Sequence, residues 1–345
     1  MAAAFQTDFT TVAPVARLTD SHGRVIHDLR VSITDRCNYK CIYCRTGELG
    51  AQYPELDIQE YLRLIKLFVG LGISKVRLTG GEPLLRRGLV ELVQELAGLR
   101  TLAGEPLDLA LTTNGHLLDE LAAPLKDAGL NRVTVSMDAV DAPTFERITR
   151  VPGSFKTVLG GIRAARAAGL TPLKINCVLL RGFNDEQIEG FARFAREEDV
   201  VVRFIEFMPL EEGRLWTPEI VVPLAEIVKR LGRVLPLQEM APREASETAR
   251  RYTFADGVGE IGIIAPVSQA FCGACSRVRL TSDGKIRTCL FSQVEHDLYG
   301  RLRAGTSDEE LRAYIRQTVQ GKEARHHIGE PGFLKPSRSM VHIGG

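Results

Sequence analysis

The chain has almost no excess charge of either sign, since its 345 residues include 44 lysines and arginines and 43 aspartates and glutamates. Proteins that bind nucleic-acid polymers through charge usually carry a clear basic excess, so we disfavour that class. No apolar run approaches the ~20 residues that a membrane-spanning helix needs. The Ala-rich start lacks a basic segment followed by an apolar core, so we expect no secretory signal, no membrane anchor and a cytoplasmic protein.

Disulfides are also disfavoured, although the sequence contains seven cysteines. An odd number does not suit a closed set of disulfides, and the expected compartment is reducing. Six of the cysteines form two trios near opposite ends of the chain. The seventh, Cys177, falls on the apolar side of a predicted strand, and we interpret it as a buried structural thiol.

Strand-like and helix-like segments alternate through the first two thirds of the sequence. Strands are predicted at 28–34, 75–79, 108–113, 132–138, 173–180 and 201–207, and helices at 57–70, 87–98, 117–129, 154–168 and 185–198. This repetition predicts an α/β fold with a parallel sheet. An eight-unit barrel needs about 250 residues, so six units predict an incomplete (β/α)6 TIM-like barrel. A doubly wound open sheet is the alternative.

We divide the chain into an N-terminal arm at 1–24, a partial barrel at 25–210 and a C-terminal region with a Gly-Gly tail at 211–345. Within the last region the sequence predicts a helix at 222–231 and β-like pieces at 251–265 and 276–289. The final residues, from 321 onward, show little periodicity. The C-terminal region is therefore an extension of different character from the barrel.

Several predicted strands alternate polar and apolar residues, whereas parallel strands covered on both faces are usually apolar throughout. The polar positions are Arg30, Ser32, Thr34, Lys75, Arg77, Thr79, Thr112, Asn114, Thr134, Ser136, Asp138, Lys174 and Asn176. A side-chain period of two places each set on one side of its strand. The polar sides then line a common interior with several cations, which suits an anionic small molecule.

The first cysteine trio, Cys37, Cys41 and Cys44, has the spacing C-x3-C-x2-C and directly follows the first predicted strand. Structural zinc normally takes four protein ligands, and this loop contains no fourth cysteine or histidine. Three thiolates leave one position open, which favours an iron–sulfur cluster with one free iron. A zinc site completed by a remote histidine is the alternative.

The second trio has the spacing C-x2-C-x13-C and consists of Cys272, Cys275 and Cys289. A hairpin with Asp283-Gly284 at its turn brings the last cysteine back toward the others. Again three thiolates favour a cluster, although zinc is a stronger rival because C-x2-C is common in zinc sites. Arg277 and Arg279 share one strand face beside the trio, and arginine forks bind phosphate or guanine edges.

The segment CNYKCIYC, followed after the second strand by TGGEP, resembles the radical S-adenosylmethionine (SAM) superfamily. In that superfamily the trio holds a [4Fe–4S] cluster whose open iron binds SAM. Further segments are DLRVSITDRCNYKCIYC, KVRLTGGEPLLR, LTTNG, VSMDA, LKINCVLL, RFIEFMP, FCGACSRVRLTSDGK and the terminal Gly-Gly. Together they resemble the radical SAM family that cyclises GTP in molybdenum cofactor biosynthesis.

The resemblance implies a role for each candidate residue. Cys37, Cys41 and Cys44 hold the SAM cluster, and Cys272, Cys275 and Cys289 hold a second [4Fe–4S] cluster. Tyr43, Gly81, Glu82, Ser136 and Met208 contact SAM. Arg30, Lys75, Arg77, Thr112, Lys174, Arg203, Arg277, Val278 and Arg279 contact GTP. Arg30, Arg277, Arg279, Gly344 and Gly345 are the expected catalytic residues.

The implied activity is that of a lyase. A 5′-deoxyadenosyl radical removes hydrogen from ribose C3′ of GTP, and C3′ then attacks guanine C8 to give (8S)-3′,8-cyclo-7,8-dihydroguanosine 5′-triphosphate. Implied partners are an electron donor, a downstream cyclic pyranopterin monophosphate synthase and a second copy of the chain. The alternatives are a peptide-modifying two-cluster radical SAM enzyme and a non-enzymatic iron–sulfur or zinc protein.

Overall fold

Six parallel strands form the centre of the fold in a computed structural model that describes residues 17–44 and 50–344. They are β1 (Asp28–Ser32), β2 (Lys75–Thr79), β3 (Asp108–Thr113), β4 (Arg132–Ser136), β5 (Lys174–Leu179) and β6 (Val201–Glu206). Each strand pairs in parallel with the next one along the chain. The six strands lie where the sequence predicts them, and four end earlier than predicted.

Helices connect these strands: α1 (Ile58–Val69), α2 (Leu89–Ala97), α3 (Leu118–Asp127), α4 (Ala142–Thr149), α5 (Ser154–Ala167) and α6 (Ile188–Glu197). α1 begins with a capping box, in which the N–H of Glu60 donates to the Asp57 carboxylate (2.8 Å) and the Glu60 carboxylate accepts from the Asp57 N–H (2.9 Å). The sequence analysis missed α4 and found the other five. No helix among the described residues is long and apolar enough to span a membrane.

The C-terminal third extends both edges of this sheet. It contains α7 (Leu224–Leu231), β7 (Leu237–Met240), β8 (Arg250–Phe254), β9 (Glu260–Ile264), β10 (Arg277–Leu280), β11 (Lys285–Arg287), β12 (His296–Asp297), α8 (Leu298–Arg303), α9 (Asp308–Gln320) and α10 (Met340–Ile343). β9 pairs in parallel with β6, and β10 pairs in parallel with β1. The strand order β12-β11-β10-β1-β2-β3-β4-β5-β6-β9-β8-β7 is open in the described part of the chain. The incomplete (β/α)6 barrel is thereby confirmed.

The two faces of the central strands differ as their alternation predicts. Leu29, Val31, Val76 and Leu78 are fully buried in the hydrophobic core beneath the helices. The intervening polar side chains, such as Arg77, line internal cavities. The helices therefore pack against one face of the sheet, and the other face is free to bind a polar ligand.

Candidate active site

Two cavities that share several lining residues lie on the polar face of the central strands. The upper cavity, of about 280 Å³, lies at the carboxyl ends of the central strands, and both cysteine trios line it. The lower cavity, of about 430 Å³, is bordered by the first residues of β1 to β6. Arg30, Arg77, Arg203 and Arg277 line both cavities. One ligand can therefore reach from the cysteines into a cation-rich lumen.

The first cysteine loop packs directly against the turn that follows β2. The N–H of Gly81 donates to the Thr34 carbonyl (2.8 Å), and the N–H of Glu82 donates to the Arg36 carbonyl (2.7 Å). A Cβ atom on Gly80 would lie 2.3 Å from the Thr34 carbonyl oxygen, and one on Gly81 would lie 2.2 Å from the Arg36 carbonyl oxygen. Glycine is therefore required at both positions for the turn to support the cysteine loop.

Glu82, which we expect to contact SAM, is not among the residues that line the upper cavity. Its fully buried carboxylate accepts from the Leu84 N–H (2.9 Å), the Asn114 N–H (2.6 Å) and the Thr113 hydroxyl (2.7 Å). Burial raises the pKa of Glu82 to about 7 despite these donors. The carboxylate thus stabilises the turn from behind, while Gly81 forms part of the cavity wall.

The other residues expected to contact SAM, Tyr43, Ser136 and Met208, line the upper cavity. The Tyr43 hydroxyl donates to Asp138 (2.7 Å), whose second oxygen accepts from the Val178 N–H (2.9 Å). Burial raises the pKa of Asp138 to about 6, although both hydrogen bonds oppose the rise. This contact fixes the tyrosine of the cysteine loop against the end of β4.

The second trio, Cys272, Cys275 and Cys289, also lines the upper cavity. The Arg277 guanidinium donates to the Cys275 sulfur at 3.3 Å. Burial alone would raise the pKa of Cys275, but the positive charges of Arg277 and Lys322 outweigh it and lower that pKa to about 7. Nearby cations favour the thiolate, which is the form that binds metals.

The chemistry of the donors in each trio fits an iron–sulfur cluster. Each trio contributes three thiols to the lining of the upper cavity. Among residues 17–44 and 50–344, no three Cys, His, Asp or Glu side chains form a compact group that could hold one metal ion. Soft sulfur ligands with one open coordination position are typical of a cluster that binds a further ligand.

The lower cavity is strongly cationic. Of the residues that the structure describes, nine lysines and arginines and five carboxylates line it, which leaves an excess of four positive charges. Arg77 donates to the hydroxyls of Thr112 (3.2 Å) and Thr134 (3.3 Å), and Arg203 also donates to Thr134 (3.2 Å). The pKa of Lys174 is lowered to about 7, mainly by burial and in addition by the positive charges of Arg203 and other arginines. Such a concentration of cations favours a polyanionic ligand.

The C-terminal tail enters the barrel beside β10. The Arg279 guanidinium donates to the carbonyls of Ile343 (3.3 Å) and Gly344. Gly344 has φ +70°, and a Cβ atom there would lie 2.5 Å from the Ser32 hydroxyl and 2.6 Å from the Thr79 methyl. The tail is therefore packed against the ends of β1 and β2. Gly345 lies outside the described residues.

Like Glu82 and Gly344, Val278 is an expected site residue that does not line either cavity. It alternates with Arg277 and Arg279 along β10, so its side chain points to the opposite face and is buried in the hydrophobic core. Period-two geometry already predicts this direction. The side chains of Arg277 and Arg279 therefore lie on the cavity side of β10, and the side chain of Val278 lies on the core side.

Several cavity residues were missed by the sequence analysis: Arg132, Arg243 and Arg251 in the lower cavity, and Phe271, Lys322 and His326 in the upper one. Arg132 is in phase with Thr134 on β4, so the alternation of that strand could have identified it. Arg243 and Lys322 lie between regular elements, where no periodicity indicates which way a side chain points.

Two family profiles match this chain side by side. The Radical SAM superfamily profile matches residues 31–195, and the Molybdenum Cofactor Synthesis C profile matches residues 200–328. A protein of Moorella thermoacetica named GTP 3′,8-cyclase is 44% identical over 95% of this chain and 100% of its own length. A Streptomyces coelicolor protein of the same name is 44% identical over 95% of this chain and 96% of its own length.

A solved structure supports the fold at much lower sequence identity. Streptococcus suis SuiB bound to its precursor peptide SuiA matches with a TM-score of 0.61 and 14% identity, over 87% of this chain and 67% of SuiB. The same protein bound to S-adenosylmethionine matches with a TM-score of 0.58 and 15% identity, over 92% of this chain and 78% of SuiB. At this identity the likeness concerns the fold alone.

Proposed function

Because this radical SAM lyase belongs to the GTP 3′,8-cyclase family, we propose that it converts GTP to (8S)-3′,8-cyclo-7,8-dihydroguanosine 5′-triphosphate in molybdenum cofactor biosynthesis. One observation carries the proposal. The upper cavity, which both cysteine trios line, shares Arg30, Arg77, Arg203 and Arg277 with a lower cavity that has an excess of cations. A nucleoside triphosphate has the matching form, with a base at one end and a polyanion at the other.

The superfamily implies SAM and a [4Fe–4S] cluster, and Cys37, Cys41 and Cys44 would hold that cluster. Tyr43, Gly81, Ser136 and Met208 would contact SAM, and their position on the upper cavity supports this assignment. When bound, cluster and SAM would supply the 5′-deoxyadenosyl radical that removes hydrogen from ribose C3′ of GTP. C3′ would then bond to guanine C8, and one electron from the donor and one proton would complete the dihydro product.

Cys272, Cys275 and Cys289 would hold a second [4Fe–4S] cluster, with its open position toward the guanine ring. Arg277 and Arg279 would lie beside the guanine base or the phosphates of GTP. The 3.3 Å contact between Arg277 and the Cys275 sulfur supports a common site for substrate and second trio. The guanidinium would orient the base while it neutralises charge on the thiolates.

The remaining residues would position the substrate and exclude water. Arg30, Lys75, Arg77, Lys174 and Arg203 would bind the triphosphate in the lower cavity. Thr112, which lines the upper cavity, would contact GTP there. A small apolar cluster of Leu210, Phe291, Ile328 and Ile343, with Met208 packed against it, borders the opposite end of the site. A dry, prepositioned environment protects a reactive radical from side reactions.

We also propose the partners that this chemistry requires. An electron donor would reduce the cluster held by the first cysteine trio, and a cyclic pyranopterin monophosphate synthase would consume the product. A second copy of the chain is a further candidate partner. We place the enzyme in the cytoplasm, where a reducing environment keeps its cysteines out of disulfides and available as ligands.

Release of 5′-deoxyadenosine from SAM tests this function. The full chain is reconstituted anaerobically with iron and sulfide, reduced with dithionite, and assayed with GTP, with ATP as the matched control, and without nucleotide. We expect release and the cyclic product to depend on GTP. GTP-independent release would favour the peptide-modifying alternative, and zinc binding without SAM cleavage would favour the non-enzymatic one.

GTP affinity should fall as the pH rises, because binding returns a proton to Lys174. Its pKa is about 7 in the free protein, and the triphosphate should raise it toward the ordinary lysine value. Below the pKa of the free protein, Lys174 is charged both with and without GTP. The dissociation constant therefore depends on pH only above that pKa. We expect the dissociation constant to rise up to about tenfold per pH unit above about pH 7.5.

Equilibrium dialysis with labelled GTP measures this slope. Lys174→Arg should flatten it, because arginine stays charged over the same range. The exposed Lys229→Arg should keep it. An equal slope in Lys174→Arg would assign the titration to another group.

A further inference from the structure

One buried arginine connects three distant parts of the chain beside the second cysteine trio. The Arg24 guanidinium donates to the carbonyls of Cys272 (3.0 Å), Glu323 (2.6 Å) and Ala324 (2.8 Å). Its Nε donates to the Asp20 carboxylate at 2.6 Å. Arg24 is only 8% exposed and Asp20 only 4%, so the charge is satisfied almost entirely within the protein.

The segment 322–324 is held at the same time against the other end of the trio. The Lys322 ammonium donates to the Thr288 carbonyl, and the Thr288 hydroxyl donates to the Glu323 carboxylate (2.7 Å). Thr288 directly precedes Cys289 in the sequence. The segment therefore contacts the chain at Cys289 through side chains and the chain at Cys272 through Arg24.

We propose that Arg24 is a positioning residue for the second iron–sulfur site, since it ties Cys272 and the 322–324 segment into one rigid frame with Cys289. C-x2-C alone sets the distance between Cys272 and Cys275, but the third ligand comes from 14 residues further along the chain. Its position relative to the pair needs a tertiary connection, and the planar guanidinium supplies one. The inference rests on the proposed function of the second trio as a cluster site.

Arginine is suited to this role because its donors lie in a fixed planar arrangement. A lysine at position 24 would keep the positive charge but could not hold three carbonyls and a carboxylate in one geometry. Hydrogen bonds from buried charged groups are among the stronger ones in proteins, and loss of the guanidinium removes the donor from three part-buried carbonyls. The expected result is local loosening of the trio without unfolding of the barrel.

Thiol labelling of the metal-free full chain tests the proposal independently of any catalytic activity. Iodoacetamide modification of each cysteine is followed by mass spectrometry in the unmodified protein, Arg24→Gln, Arg24→Lys and the control Arg17→Gln, which alters an exposed residue of the same segment. In both Arg24 variants we expect Cys272 and Cys289 to react about tenfold faster. Cys41 and the buried Cys177 should react at unchanged rates and so report an intact barrel.

Reconstitution gives the second readout. In a background that lacks the three cysteines of the first trio, Arg24→Gln should lose most of the iron and the cluster absorption of the second site, whereas Arg17→Gln should retain both. Unchanged labelling of Cys272 and full iron retention in the Arg24 variants would overturn the proposal. Equal acceleration at Cys177 would also overturn it, because Arg24 would then stabilise the whole fold rather than the site. If Arg24→Gln does not accumulate, Arg24→Lys carries the same test.

Discussion

Replacing Cys41 with alanine is expected to lower 5′-deoxyadenosine release from SAM by about a thousandfold or more, which corresponds to about 4 kcal/mol in activation free energy. The loss follows because two thiolates cannot replace three in holding the first cluster. The backbone of the loop should survive, since the N–H groups of Lys40 and Ile42 donate to the carbonyls of Thr149 (3.2 Å) and Ile148 (3.0 Å). The substitution should therefore remove only the Cys41 thiolate as a cluster ligand and leave the fold of the loop unchanged.

The matched control is Cys177→Ala. Cys177 is fully buried, its thiol donates to the Asp138 carbonyl at 3.7 Å, and it does not line the upper cavity. Its removal should cost at most about 1–2 kcal/mol of stability through lost packing, with both clusters retained. Substantial SAM cleavage by Cys41→Ala, measured anaerobically beside the control, would contradict the assignment of the first trio.

Gly344→Ala is expected to lower turnover about a hundredfold while the iron content stays unchanged, a cost of about 2.7 kcal/mol in the activation free energy. The added methyl would meet both the Ser32 hydroxyl and the Thr79 methyl inside normal contact distance. These groups belong to central strands and cannot move far, so the tail must shift instead. A shifted tail releases the contact between its carbonyl and Arg279 and so disturbs a residue expected to bind substrate.

Gly329→Ala is the control for backbone strain. Gly329 has φ +81°, close to that of Gly344, but a Cβ atom there would meet nothing within 4 Å. Both variants carry the cost of a left-handed alanine, and only Gly344→Ala adds the steric conflict in the barrel. Turnover, iron content and melting temperature of the two are compared. Equal turnover in both variants would mean that tail packing has no part in catalysis.

Some of the fold that the sequence analysis missed had a local signal. α9 begins with Ser307 and Glu310 in a capping box, and Leu311, Ile315 and Val319 follow at helical spacing. α4 likewise begins after Asp141, whose carboxylate accepts from the Thr144 N–H. Both helices could have been identified from the S-x-x-E or Asx cap and the spacing.

The placement of the C-terminal strands had no such signal. β9 and β10 are close in sequence, yet one joins β6 and the other joins β1 at the opposite edge of the central strands. A strand pattern records which residues share a face but not which edge the strand will extend. The two cysteine trios meet at one cavity because of this long-range pairing, in particular that of β10 with β1.

The sequence by itself determined the barrel units, the polar lumen and both cysteine trios, because spacing and period two are local properties of the chain. Only the tertiary structure decided that Glu82 lies behind its turn, where the carboxylate accepts three hydrogen bonds. Period two, in contrast, already predicts that Val278 lies on the far side of its strand. The tertiary structure also decided that both cysteine trios line one cavity. It also revealed Arg24 and Lys322, whose contacts join segments that are remote in sequence. Such contacts depend on how the sheet edges pair, and no local pattern encodes that pairing.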